Sequence, residues 1–327
     1  MTCAYDPELA AALTLIPTLS LDDVEAARAA QREWRATIDG DIDGIEKLEI
    51  ADRLVSADAD SPEVAVRVYS PFACEPPAPS VLYIHGGGFV LGSVDDDHAQ
   101  AAAMALEVGA IVVSVDYRLA PEHPYPAGLQ DCYAALRWME QNAEGLGIDA
   151  DRIAVAGSSA GGALAAGVTL LARDRHGPHL CFQMLNQPVL DDRLETPSMT
   201  EFVDTPVWNR PSAALSWRYY LGESRRETPD HYAAPGRADD LSGLPPAYVA
   251  LAQFDPLRDE GIAYAARLLR SSVATEFHVF PGTFHGSEQV ETAEVSQRHV
   301  AEMHEALRRG LGSSVGRAPA LSRRVET

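Results

Sequence analysis

Gly157-Ser158-Ser159-Ala160-Gly161-Gly162 follows the apolar run Ile153-Ala154-Val155-Ala156 and leads into Leu164, Val168 and Leu171 at helical spacing. A serine on a sharp turn between a strand and a helix can present its hydroxyl as a nucleophile for acyl transfer. The turn is strained, and a Cβ two residues to either side would collide with the flanking elements. Ser159 has glycine at both of those positions and Ser158 does not, so Ser159 is the candidate nucleophile. The stretch lacks the G-x-G-x-x-G spacing of a dinucleotide loop and the Gly-Lys-Ser/Thr ending of a phosphate loop. Taken alone, it would serve equally as a glycine-rich turn.

A second glycine cluster weighs against that bland reading. His85-Gly86-Gly87-Gly88-Phe89 comes directly after the apolar run Val81-Leu82-Tyr83-Ile84. Acyl transfer builds negative charge on a carbonyl oxygen, which backbone N–H groups stabilise where no side chain blocks their approach. Gly87 and Gly88, with the N–H of Ala160 after the nucleophile, are the candidate oxyanion donors.

A serine hydroxyl needs a base, and in this type of site the chain order is Ser, then Asp or Glu, then His. His285 leaves a late strand, Glu276-Phe277-His278-Val279-Phe280, through Pro281-Gly282-Thr283-Phe284. His278 lies within that strand and reads as structural, while His299 and His304 fall on the last helix and are expected to face solvent. His176 and His179 flank Gly177-Pro178 without a Cys or carboxylate at ligand spacing, so no metal site is expected. Asp255 stands first after the strand Ala247-Tyr248-Val249-Ala250-Leu251-Ala252-Gln253-Phe254, where a carboxylate can fix the imidazole tautomer. Asp259 and Glu260 follow at the start of a helix, where acids commonly only complement its dipole.

These residues need a scaffold that gathers strand ends. From about Val64 onward short β-branched runs alternate with helical patterns, which predicts a mostly parallel sheet flanked by helices. The expected strands are Val64–Tyr69, Val81–His85, Ile111–Tyr117, Ile153–Gly157, Cys181–Asn186, Ala247–Gln253 and Glu276–Phe280. Residues 1–45 read as helical and acidic. Residues 191–235, with Phe202, Trp208, Trp217, Tyr219 and Tyr220, form an aromatic-rich insertion too long for a plain loop. Both are expected to build a helical cap over a core of residues 46–190 and 236–311, with 312–327 as a disordered tail. Phe89, Phe202, Trp208 and Tyr219 are candidates for the substrate pocket, or for the cap's own small core.

The order of HGGGF, Asp116-Tyr117-Arg118-Leu119-Ala120-Pro121-Glu122-His123-Pro124, GSSAGG, DPLRDE and GTFHG resembles the hormone-sensitive-lipase-like family of bacterial esterases. The likeness runs from about Val64 to Arg309. It implies an α/β-hydrolase fold, a Ser159–His285–Asp255 triad, and hydrolysis of short-acyl esters of bulky alcohols or phenols beneath a cap. Many members of that family carry an acidic residue or Thr where this chain has Ser158.

The 327 residues carry a formal net charge of −22, with acids spread along the chain. Such a surface repels phosphate backbones and anionic membranes, so nucleic acid and membrane are not expected partners, and uncharged esters suit it better than polyanions. Cys3, Cys74, Cys132 and Cys181 are widely spaced, which fits reduced thiols in the cytoplasm. The longest nearly apolar run, Ala163 to Ala172, is too short to span a bilayer. No cofactor is expected. The expected partner is a small-molecule ester, with a second copy of the chain as a candidate for a homodimer. A receptor on this scaffold would be expected to have lost a member of the triad, and all three are present. Amide, lactone and acyl-transfer chemistry would use the same residues.

Overall fold

A computed structural model describes residues 4–17, 19–38, 42–56, 63–222 and 229–312. One eight-stranded sheet runs through it, formed by β1 (Leu48–Val55), β2 (Val64–Pro71), β3 (Ala78–Ile84), β4 (Ile111–Asp116), β5 (Ile148–Ser158), β6 (Phe182–Asn186), β7 (Ala247–Phe254) and β8 (Thr275–Phe284). Its spatial order is β1-β2-β4-β3-β5-β6-β7-β8. β2 pairs antiparallel with both β1 and β4, and all pairings from β4 to β8 are parallel, giving the mostly parallel sheet that the alternation of strand and helix predicts.

The ten α-helices among the described residues are α1 (Pro7–Ala12), α2 (Val24–Ile38), α3 (His98–Val108), α4 (Ala127–Gln141), α5 (Ala143–Leu146), α6 (Ala160–Asp174), α7 (Pro197–Glu201), α8 (Arg210–Leu221), α9 (Arg258–Arg270) and α10 (Glu294–Gly310). Because successive strand residues point to opposite faces, each central strand supplies two cores. Leu82, Ile84, Val113, Val115, Val155, Leu185, Val249 and Leu251 pack on the face covered by α4, α6 and α9. Val81, Val112, Ala154, Ala156, Met184, Tyr248 and Ala250 pack on the opposite face, against α3 and α10. Full burial of one such aliphatic side chain stabilises the fold by about 1.5–3 kcal/mol, so the doubly covered strands anchor the site.

Two strand predictions need correction. β1 is absent from the expected set because it is an edge strand: of its residues only Leu48 and Val55 are buried, so it carries no apolar alternation. β8 continues to Phe284, through the Pro281-Gly282 pair expected to be a loop. Gly282 has φ +75°, its carbonyl accepts from Asp6 N–H at 2.9 Å, and its N–H donates to Gln253 Oε1 at 2.8 Å. The pairing with β7 shifts register between Ala252 and Phe254 and absorbs the turn-like residues as an irregularity.

The N-terminal segment and the insertion lie above the carboxyl ends of the parallel strands and touch each other, with Tyr219 Oη donating to Leu21 O at 3.2 Å. Thr196 and Asn209 cap α7 and α8 by accepting from Met199 and Ser212 N–H. No helix among the described residues is long and apolar enough to cross a membrane. Cys74, Cys132 and Cys181 are free thiols; Cys3 and most of the expected tail fall outside the described residues.

Candidate active site

The strand ends gather the three residues of the expected triad. Ser159 sits between β5 and α6 with φ 56° and ψ −117°, a conformation costing a non-glycine residue on the order of 1–3 kcal/mol. Tight packing enforces it: a Cβ on Gly157 would lie 2.2 Å from Gly161 O, and one on Gly161 would lie 2.1 Å from Ile84 O. The backbone N–H of Ser159 donates to Asn186 O at 2.8 Å, which ties the turn to the end of β6.

His285 follows β8, and its Nε2 stands 2.9 Å from Ser159 Oγ. Its Nδ1 is 2.8 Å from Oδ2 of Asp255, which is 1% exposed at the end of β7. Asp255 also accepts the Leu257 N–H at 2.9 Å. The chain of contacts therefore runs from carboxylate through imidazole to hydroxyl, with the Nδ1–H tautomer held by Asp255. Burial alone disfavours the imidazolium, but the charge and hydrogen bond of Asp255, with a further contribution from Glu288, outweigh it. The pKa of His285 stands above its ordinary value of 6.5.

The glycine loop after β3 is shaped by contacts that admit no side chain. Gly87 has φ +109°, and a Cβ there would lie 2.1 Å from Leu91 O; Gly88 has φ +60° and faces Trp208. The loop closes through the Val90 and Leu91 N–H groups onto Gly87 O at 3.1 and 2.8 Å. Ser216 of α8 donates to Gly88 O at 2.7 Å, and Arg28 of α2 donates from Nε to Val90 O at 2.9 Å. Arg28 also reaches Ala120 O and forms a two-pronged pair with Glu122.

A cavity of about 590 Å³ opens onto Ser159 and His285. Ile16, Leu19, Leu21 and Trp34 from the N-terminal segment, Leu91 after the glycine loop, and Val207 and Trp208 from the insertion form one part of its apolar wall, and Met104 of α3 with Val300 and Met303 of α10 form another. Of the four aromatic candidates only Trp208 lines it, with its ring centroid 5.8 Å from that of His285. Phe89 is instead stacked on Tyr220 at 3.8 Å, and Phe202 packs edge-on against Phe254 under Arg258. Tyr219 spends its hydroxyl on Leu21 O. These three belong to the packing of the insertion and the loops below it, because their rings find apolar partners there. The apolar wall residues other than Trp208 had no local signal, since they come from segments far apart in the chain.

Two expectations about ionisable groups are overturned. His299 and His304 are buried, not solvent-facing. α10 stacks His299 on Phe280 of β8 and sets His304 in the cavity wall, and desolvation drives their pKa values down to about 3 and about 4. Glu260 is no mere dipole partner. It is 4% exposed and accepts the Leu190 N–H at 2.6 Å and the Asp191 N–H at 3.3 Å, where the insertion begins, and burial holds its carboxyl well above the usual range. Asp259 accepts the Ser198 N–H at 2.8 Å and so pins α7. His278 pairs with Glu302 at 2.8 Å on the outer side of β8.

Comparison with known proteins agrees with this geometry. A family model described as alpha/beta hydrolase fold matches residues 81–289. The esterase LipI of Mycobacterium tuberculosis is 42% identical over 288 residues, covering 86% of this chain and 88% of LipI. The carboxylesterase NlhH of the same organism is 44% identical over 290 residues, with the same coverage of each chain. The solved structure of a bacterial heroin esterase superposes with a TM-score of 0.88 at 51% identity, covering 94% of this chain and 98% of that one.

Proposed function

The chain belongs to the hormone-sensitive-lipase-like esterases of the alpha/beta-hydrolase fold, and on that premise we propose that it cleaves short-acyl esters of bulky alcohols or phenols through a Ser159–His285–Asp255 triad. The observation that carries this reading is the unbroken line from Asp255 Oδ2 to His285 Nδ1 at 2.8 Å and from His285 Nε2 to Ser159 Oγ at 2.9 Å, ending on a strained nucleophile.

In this mechanism Ser159 Oγ attacks the ester carbonyl while His285 Nε2 takes its proton. The carbonyl oxygen becomes an oxyanion that accepts from the N–H groups of Gly87, Gly88 and Ala160. Each such donor contributes on the order of 3–4 kcal/mol to the transition state. Asp255 holds the resulting imidazolium, which then protonates the departing alkoxide. Water repeats the sequence on the acyl-enzyme, with His285 again as base, and releases the acid.

The cavity supports the substrate class. Its apolar wall suits a bulky alcohol or phenol, and the acids that line it (Asp97, Glu107, Glu291) disfavour polyanions. Trp208 sits so close to Gly88 that a Cβ there would come within 2.7 Å of its ring, which narrows the space beside the reacting carbonyl and favours a short acyl group. In this reading the N-terminal segment and the insertion act as a cap over the site.

The test is peptide mapping after exposure to a fluorophosphonate probe. One adduct, on Ser159, is expected in the native protein and none after heat denaturation. A native protein that takes up no probe overturns the reading.

A further inference from the structure

Behind the triad lies a buried polar truss that the mechanism above does not use. Glu288, three residues after His285, is 9% exposed and forms part of the cavity wall. Its Oε1 accepts from Asn186 Nδ2 at 2.8 Å and its Oε2 from Gln187 Nε2 at 2.9 Å. Gln187 turns its Oε1 to the N–H of Gly286 at 2.8 Å, and so reaches the residue next to His285. Asn186 also donates to Ser158 Oγ at 3.1 Å, takes a hydrogen bond from His299 Nε2 at 3.0 Å on its Oδ1, and receives the Ser159 N–H on its backbone oxygen. The elbow, the end of β6 and the histidine loop are thus joined through one carboxylate.

That carboxylate is anomalous. Its donors are the two neutral side-chain amides and a backbone N–H; a buried anion with no cation among these is costly, and burial raises its pKa above the ordinary carboxyl value while the charge of His285 opposes that rise. The missing cation arises during turnover, when His285 takes the serine proton. An interaction made strongest at that moment favours the transition state over the ground state.

We propose that Glu288 is a positioning residue for ester hydrolysis: its carboxylate steadies the imidazolium that His285 becomes and, through Gln187, holds the loop that carries His285. The inference rests on the triad reading above. No bond to Glu288 is made or broken. The other titratable groups turned toward this space are Asp255 on β7, Tyr83 on β3 with its hydroxyl on Asp97 of α3, Arg35 of α2 at 3.8 Å from Asp97, and His299 of α10; Glu291 and His304 lie on the cavity wall. His299 and His304, with pKa values of about 3 and about 4, stay neutral across the working range.

The test compares the pH profile of kcat/KM for an aryl acetate in wild type and Glu288→Gln. Loss of the charge lowers the proton affinity of His285, so the acid limb is expected to move down by about half a pH unit or more. With it, kcat is expected to fall roughly tenfold or more and KM to change little. Gln187→Ala, which loosens the truss but keeps the charge, is expected to lower kcat with an unmoved midpoint. An unmoved midpoint in Glu288→Gln overturns the proposal, as does an equal shift in Gln187→Ala. Should Glu288→Gln fail to fold, Glu288→Ser, which leaves room for water against both amides, gives the same readout. Failure of the triad reading is distinct, because wild type itself would then take up no fluorophosphonate.

Discussion

Around Ser159 the backbone approaches itself so closely that side chains are excluded, whereas above it the cavity wall draws side chains from stretches far apart in the chain. The elbow is local. Gly157, Ser159 and Gly161 lie within five residues, and their geometry follows from one strand running into one helix. The contacts that support the wall are not local: Leu21 meets Tyr219, Arg28 grips Val90 and Ala120, and Ser216 holds Gly88. The difference teaches where each property of an enzyme of this kind is encoded. Chemistry resides in contacts that tolerate no substitution, and substrate choice in contacts that many side chains could make.

Changes in the elbow should therefore affect every substrate alike. Ser159→Ala is expected to lower kcat by roughly 10⁴-fold or more on small and bulky esters equally while the protein stays folded, as read by steady-state kinetics beside circular dichroism. Gly161→Ala should act on the fold itself. Its Cβ would fall 2.1 Å from Ile84 O and 2.4 Å from His85 O, and neither backbone oxygen can move aside. A loss of about 3 kcal/mol or more in urea denaturation is expected, and a stable Gly161→Ala protein would show that the elbow is less tightly made than the contacts imply.

Changes in the contacts that support the wall should discriminate between substrates. Arg28→Ala removes the donor that joins the glycine loop to Ala120, and kcat/KM is expected to fall roughly tenfold. The fall should be larger for a bulky phenyl ester than for a small alkyl ester, because α2 also carries Trp34 of the wall. Equal losses on both would place Arg28 with the elbow.

The smallest expected effect concerns pH. The base must be neutral to act, and the pKa of His285 lies above 6.5, so kcat/KM should decline as pH falls through a midpoint above 6.5. That midpoint should be the same for small and bulky esters, since kcat/KM reports the free enzyme, where the buried Asp255 and Glu288 set it. A midpoint that moved with the alcohol would show that a step other than deprotonation of His285 in the free enzyme governs the limb.

Most of the chemistry was legible in the residues because its steric demands are local. Glycines stand where a Cβ would strike backbone, a serine occupies the turn, and an aspartate and a histidine end consecutive strands. Strands buried on both faces were equally legible, as in Val112-Val113-Ser114-Val115. The exposed edge strand β1 was not, nor was the passage of β8 through Pro281 and Gly282. Neither Phe89 nor Phe202 could be told from a pocket residue, since an aromatic ring satisfies a core and a cavity by the same burial. His299 and His304 looked solvent-facing because nothing in the residues around them announced which side of α10 meets the sheet.

The amino-acid sequence by itself determined the parallel α/β architecture, the elbow, the glycine loop and the order of Ser159, Asp255 and His285, because each depends on neighbours within a few positions or on the order of strands. Only the tertiary structure decided that Trp208 guards the site, that Arg28 clamps the glycine loop from α2, and that Glu260 and Glu288 lie buried at the root of the insertion and behind the base. Those facts depend on which distant segments share a volume, and the free energy of that sharing comes from burial and from hydrogen bonds such as those that span 62, 70, 102 and 198 positions.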